Sequence, residues 1–85
     1  DIGRARTGRD RGLLMLVVAE EGDFLRLANG RGRRAESPKR KRRRHVSRQG
    51  RCDERTQRKL LENGRLTNSD IRKALALWTG AEDAN

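Results

Sequence analysis

Gly12-Leu13-Leu14-Met15-Leu16-Val17-Val18-Ala19-Glu20-Glu21-Gly22-Asp23-Phe24-Leu25-Arg26-Leu27-Ala28-Asn29-Gly30 decides the fold. Its first half is an apolar run, 13–19, bounded by Gly12 and by Glu20-Glu21-Gly22-Asp23. A run this short, with two valines, reads as a strand buried on both faces; periodicity alone also fits a buried helix segment. The second half alternates. Leu25 and Leu27 fall on one face and Arg26 on the other, the period of a half-buried strand. Asn29-Gly30 is then a hairpin signal, and 31–36 is the expected returning strand. Gly3, Gly8, Gly12, Gly22, Gly30 and Gly32 punctuate the region with turns. Short strands spaced this closely form a small, strongly curved antiparallel sheet of the kind that closes as a partial barrel.

Beyond residue 36 the composition changes. Pro38 biases Ser37 toward extended backbone and opens six consecutive cations, Lys39, Arg40, Lys41, Arg42, Arg43 and Arg44. Like charges in a row repel, so 37–51 is expected as an extended basic arm, mobile without a partner. His45-Val46 is placed to return one short strand to the barrel, with His45 as a packing or hydrogen-bonding residue. Residues 52–85 read as helical. Asp53 caps a helix that Asn63-Gly64 stops. Thr67 and Asp70 have capping-box spacing, with Asp in place of the preferred Glu or Gln. Ile71, Ala74, Leu75 and Trp78 then lie at i, i+3, i+4 and i+7, one helical face. After Thr79-Gly80 a frayed tail is expected at 81–85. The predicted organisation is α+β in three parts: a barrel over 1–36, a basic arm over 37–51 and a helical segment over 52–85.

With 85 residues, 32% of them hydrophobic, the chain supports one small and marginal core. It has one Phe, one Trp and no Tyr. Cys52 is the only cysteine, so no disulfide forms within the chain, and a lone thiol fits a reducing cytoplasm. Cys52 and His45 together are too few for a Cys/His zinc site. A binding partner is therefore the expected aid to folding. No stretch approaches the length of a membrane span. The chain begins at Asp1, so at least an initiator Met is expected before it.

The formal net charge is +10, and its location matters more than its size. Residues 1–30 and 52–85 each carry equal numbers of cations and acids. Residues 31–51 carry eleven cations, including Arg31, Arg33 and Arg34, against the single acid Glu36. A local excess of this kind suits a polyanion, through phosphate pairing and counterion release.

The order of these features resembles a known family. Asp1-Ile2-Gly3-Arg4, then Thr7-Gly8-Arg9-Asp10-Arg11-Gly12 and the apolar run look like a KOW motif: a strand end, a loop with a key glycine, and an apolar strand. The 22–30 stretch and the Pro38-led basic run extend the match over roughly 1–47. Residues 60–75 also look like the C-terminal segment of some members. The chain resembles small bacterial KOW-domain RNA-binding proteins related to a large-subunit ribosomal protein of archaea and eukaryotes. The resemblance implies an SH3-like barrel that binds RNA, commonly within the ribosome. It puts the loop glycine at Gly12, the flanking basic positions at Arg9 and Arg11, and the basic stretch at 39–44, with His45 after it. Leu13 stands where a basic or polar residue is common, and Arg replaces Lys through most of the run.

Elementary chemistry points the same way. Gly12 lets backbone approach a phosphate closely. Arg4, Arg6, Arg9 and Arg11 alternate around a turn, so their guanidinium groups can project together. Arg pairs phosphates bidentately and stacks on splayed bases. Asp10 is expected as a turn cap or local ion-pair partner. With so few aromatics, a base-stacking platform is not expected. The expected function is structural RNA binding, with ribosomal RNA and neighbouring ribosomal proteins as partners in the cytoplasm. The helices would dock on that RNA or on a neighbour through Ile71, Leu75 and Trp78. An alternative is a DNA-binding regulator with a helix-turn-helix over 54–78 and a recognition helix over 68–78. No enzyme, metal, cofactor or small-molecule substrate is expected, since the sequence offers no paired carboxylates in a plausible cleft and no phosphate-cradling motif.

Overall fold

A computed structural model describes residues 1–83. The chain runs β1 (Ile2–Ala5), β2 (Leu14–Glu21), β3 (Phe24–Ala28), β4 (Lys39–Arg42), a 3-10 turn (Arg43–His45), β5 (Val46–Gly50), α1 (Glu54–Asn63) and α2 (Asn68–Asp83). The five strands form one antiparallel sheet in the order β4-β3-β2-β1-β5. β4 and β5 are edges, so the sheet is open and not a closed barrel.

The apolar run forms β2, the middle strand of the sheet. It is buried on both sides, as its composition predicts. Leu14, Leu16 and Val18 join Ile2 and Ala28 in a cluster completed by the helices. Met15 and Val17 join Ala5, Leu25, Leu27 and Val46 in a second cluster on the opposite face. Fully burying each large side chain contributes roughly 1.5–3 kcal/mol, and Ile2, Met15, Leu16, Leu27 and Ile71 are all essentially inaccessible. The sheet curls over its second cluster. A methyl group placed on Gly3 of β1 would stand 2.6 Å from Val46 Cγ1 and 3.7 Å from Leu27 Cδ2 of β3.

Three elements depart from expectation. The hairpin turn is Gly22-Asp23, since Glu21 pairs with Phe24, and positive φ falls on Gly22 alone, the pattern of a II′ turn. Asn29-Gly30 instead opens a ten-residue loop, 29–38, with no strand in 31–36. Its own side chain explains this: Asn29 Oδ1 accepts from the Arg31 and Arg33 amides at 2.9 and 3.0 Å. Those amides are thereby unavailable to a ladder. The returning strand is β4, built from the basic run. Repulsion does not leave that run as a loose arm, because strand alternation sends neighbouring cations to opposite faces and Glu21 lies within reach of Arg40.

The helices form as their caps predict. Asp53 accepts from the Thr56 amide at 3.1 Å, and Gly64 closes α1 in the left-handed conformation at φ 74°. Thr67 and Asp70 cap α2 reciprocally: the Thr67 amide donates to Asp70 Oδ2 at 2.9 Å, and the Asp70 amide donates to Thr67 Oγ1 at 3.1 Å. Ile71, Leu75 and Trp78 do not wait for an external surface. They pack on the protein's own sheet, in the cluster with Ile2 and Leu16. The Trp78 ring lies over Gly50 of β5, where an added Cβ would meet it at 2.6 Å. A small, aromatic-poor sheet needs this cover, which is why the stripe is consumed internally. α2 continues past Gly80 to Asp83; of the tail expected to fray, 84–85 lie outside the described residues.

Candidate nucleic-acid interface

The loop 6–13 between β1 and β2 is a closed, braced turn. The Gly12 amide donates to the Ala5 carbonyl at 2.8 Å, and the Leu13 amide to the Asp10 carbonyl at 2.8 Å. Arg4 Nη1 donates to the Gly12 carbonyl at 2.8 Å. Gly12 itself has φ +87°, and a Cβ there would meet nothing within 4 Å. The position therefore needs glycine for its backbone conformation, not for space. Arg6, Arg9 and Arg11 are exposed, and their side chains have no hydrogen-bond or ion-pair partner among the described residues.

Asp10 is the buried anchor of this loop. It pairs with Arg33 Nε at 2.8 Å, linking the loop to 29–38. The expected local pair is thus made across the fold and not with a neighbouring Arg. Two further bonds bring in the basic run. Lys41 Nζ donates to the Thr7 carbonyl at 2.9 Å, and the Arg6 amide to the His45 carbonyl at 2.8 Å.

The basic run divides between two faces. In register, Lys39 lies opposite Leu27 and Lys41 opposite Leu25, toward the curled side. Arg40 lies opposite Arg26 and Arg42 opposite Phe24, on the face that carries the helices farther along. Arg40 and Arg42 both sit over the Phe24 ring. Arg43 bonds the Gly22 carbonyl at 2.7 Å and Glu20 at 3.2 Å. Arg44 is exposed without such a partner among the described residues. Asp23, Arg42, Arg43 and Arg44 line a concavity of about 290 Å³. Three Arg side chains thus share this depression with one carboxylate.

The remaining cations of the expected site are partly occupied. Arg33 is held by Asp10, and Arg34 by Glu36 at 2.9 Å. The Arg34 bond is the largest of the influences that hold the Glu36 carboxyl below the usual carboxylate range. Asn68 at the start of α2 donates to Glu36 and accepts from the Ala35 amide at 2.7 Å. The Arg31 side chain is exposed and has no hydrogen-bond or ion-pair partner among the described residues. On α2, Arg72 Nη1 donates to the Gly30 carbonyl at 2.7 Å. Asn68, Ile71 and Arg72 thus face the protein's own loop and core, leaving Ser69 and Lys73 exposed.

Phe24 is the functional candidate that its sequence context does not disclose. Its place under Arg40 and Arg42 follows from the β3–β4 register, which no local pattern encodes. Elsewhere, burial pushes the Cys52 thiol up, which keeps it protonated. No group of three metal-ligating side chains occurs among the described residues. No helix there is long and apolar enough to cross a membrane. Compared with known proteins, the chain matches no family model and no curated relative.

Proposed function

We propose that this protein is a structural RNA-binding protein of the ribosome, a large-subunit component or an associated factor that contacts ribosomal RNA. One observation carries this most: the Lys41–Thr7 bond, which joins the loop 6–12 to the basic edge strand. The loop that carries Arg6, Arg9 and Arg11 is thereby tied to the strand that carries Lys39 and Lys41 and, through the Arg6 amide and the His45 carbonyl, to the turn that carries Arg44. A chain with this much cation at one place suits a phosphate backbone.

The order β4-β3-β2-β1-β5 supports an SH3-like reading of the fold. In it β1 to β4 form a meander, β5 returns to pair beside β1, and the Leu27 side chain of β3 reaches toward Gly3 of β1. The loop at Gly12 then corresponds to the KOW loop. Loop arginines contact RNA grooves by shape and charge, β4 lies along the phosphates, and recognition is of structured RNA more than of base sequence.

Competition binding tests this directly. A structured ribosomal RNA fragment should displace a labelled copy of itself far better than a matched DNA duplex does. In cells, the protein should sediment with ribosomal subunits at moderate salt. Preference for a particular DNA sequence, or sedimentation only with free protein, would overturn the proposal.

A further inference from the structure

The sheet face that carries α2 is covered at one end only. Ala28 lies in the cluster beneath the helices, while Phe24 and Arg26, on the same face of β3, lie beyond it. Arg40 Cζ stands 3.6 Å from the Phe24 ring centroid, and Arg42 Cζ stands 4.9 Å from it. At 3.6 Å the Arg40 guanidinium carbon is in van der Waals contact with the ring. Glu21 Oε1 holds the neighbouring Arg26 Nε at 2.8 Å and lies 3.9 Å from Arg40 Nε. The Arg40 side chain is nevertheless 55% exposed. The guanidinium is thus in contact with Phe24 while more than half of the side chain remains reachable from solvent.

We propose that Arg40, stacked on Phe24, is a platform for an unpaired nucleobase. The ligand is a nucleotide splayed from a bulge or loop, next to the duplex that the cationic edge holds. This rests on the RNA-binding reading and adds to it a specific RNA feature. A guanidinium is planar, delocalised and weakly hydrated, so it stacks on bases as an ammonium does not. Contact with Phe24 restricts the side chain before the base arrives, which reduces the ordering cost of binding. Arg42, beside the same ring, is placed to meet the phosphate of the stacked nucleotide. The scarcity of aromatics, which argues against a stacking platform on composition, is met by an Arg extending a single Phe. Trp78, the other aromatic residue, is turned to Gly50 and the core.

The test uses two hairpins with the same duplex, one carrying a single-nucleotide bulge of 2-aminopurine. Binding is followed by anisotropy and by the 2-aminopurine emission. The bulged RNA should bind roughly ten- to hundredfold more tightly, the size of one stacking contact. Its emission should change on binding. Arg40→Lys keeps the charge and removes the plane, and should erase both the bulge preference and the emission change. Phe24→Leu should do the same, with folding checked by circular dichroism. Equal affinity for the two hairpins, or a bulge preference that survives Arg40→Lys, would overturn the platform alone. Failure to bind either hairpin would overturn RNA binding and the platform together.

Discussion

Lys41 and Thr7 belong to segments separated by two strands of the sheet, yet Lys41 Nζ donates to the Thr7 carbonyl oxygen at 2.9 Å. That bond turns a loop and an edge strand into one surface. It is exposed, so its contribution to global stability is small, under about 1 kcal/mol. Lys41→Met keeps the apolar stem and removes the donor. Its melting temperature should change little, while amide hydrogen exchange across 6–12 accelerates. Unchanged exchange in that loop would show that Lys41 does not hold it.

Asp10 and Arg33 are the buried counterpart. The Asp10 side chain is 9% exposed and that of Arg33 32%. Removing one partner from a largely buried pair leaves an uncompensated charge. With Arg33 one-third in water, Asp10→Asn should destabilise by about 1–2 kcal/mol. A domain of this size would lose roughly 5–15 °C in Tm. Thermal denaturation of the variant checks this, and a shift under about 2 °C would contradict it.

Asp70 gives the fold an acid-sensitive joint between its helices. Lys59 Nζ donates to its carboxylate at 2.8 Å, and the Thr67 amide adds a second bond. Together, the Lys59 bond foremost, these hold the carboxyl at about 2, below its ordinary 3.8. A depressed carboxylate stabilises the fold when ionised. Its contribution is complete above about pH 4 and is lost as pH falls through about 2. Allowing for solvent around Lys59, it amounts to on the order of 1 kcal/mol. Denaturant midpoints between pH 5 and 2 should fall more steeply for the wild type than for Asp70→Asn. Parallel curves would contradict the assignment.

Two glycines separate conformational from steric demand. Gly30 and Gly12 both have positive φ. At Gly30 an added Cβ would stand 2.5 Å from the Asn68 carbonyl oxygen, whereas at Gly12 it meets nothing within 4 Å. Gly12→Ala should cost about 1–2 kcal/mol, the left-handed penalty alone. Gly30→Ala should cost clearly more, because the start of α2 must also move. Urea denaturation of the two variants gives the order, and equal losses would contradict it.

What the chain discloses locally, the structure contains. The apolar run at 13–19, the Leu25/Leu27 alternation, the Asp53 cap, the Thr67–Asp70 box and the Gly64 stop are all set by residues within a few positions of one another. Asn29-Gly30 misleads because the same dipeptide serves a hairpin or a loop, and the Asn29 side chain decides between them. The strand in the basic run is hidden by its repulsion, which the β3 partner, Glu20 and Glu21 offset. Trp78 reads equally as an anchor for a partner or for the core until Gly50 is seen beneath it. At the candidate interface, the exposed Arg9, Arg11 and Arg44 are legible from charge. The internal engagement of Arg4, Arg33 and Arg43 is not, since each depends on an acceptor brought near by the fold.

The central claim is that the unpaired cations of the loop 6–12 and of the basic run act on one polyanion. Binding of a structured ribosomal RNA fragment, followed from 50 to 200 mM salt, tests it most directly. With about 6–10 phosphate contacts, log affinity should fall linearly with log salt, by on the order of a thousandfold or more across that range. The variant Arg9→Gln, Arg11→Gln, Arg44→Gln should bind more weakly, with a slope shallower by about three. A nearly flat salt response in the wild type, or an unchanged slope in the variant, would contradict it.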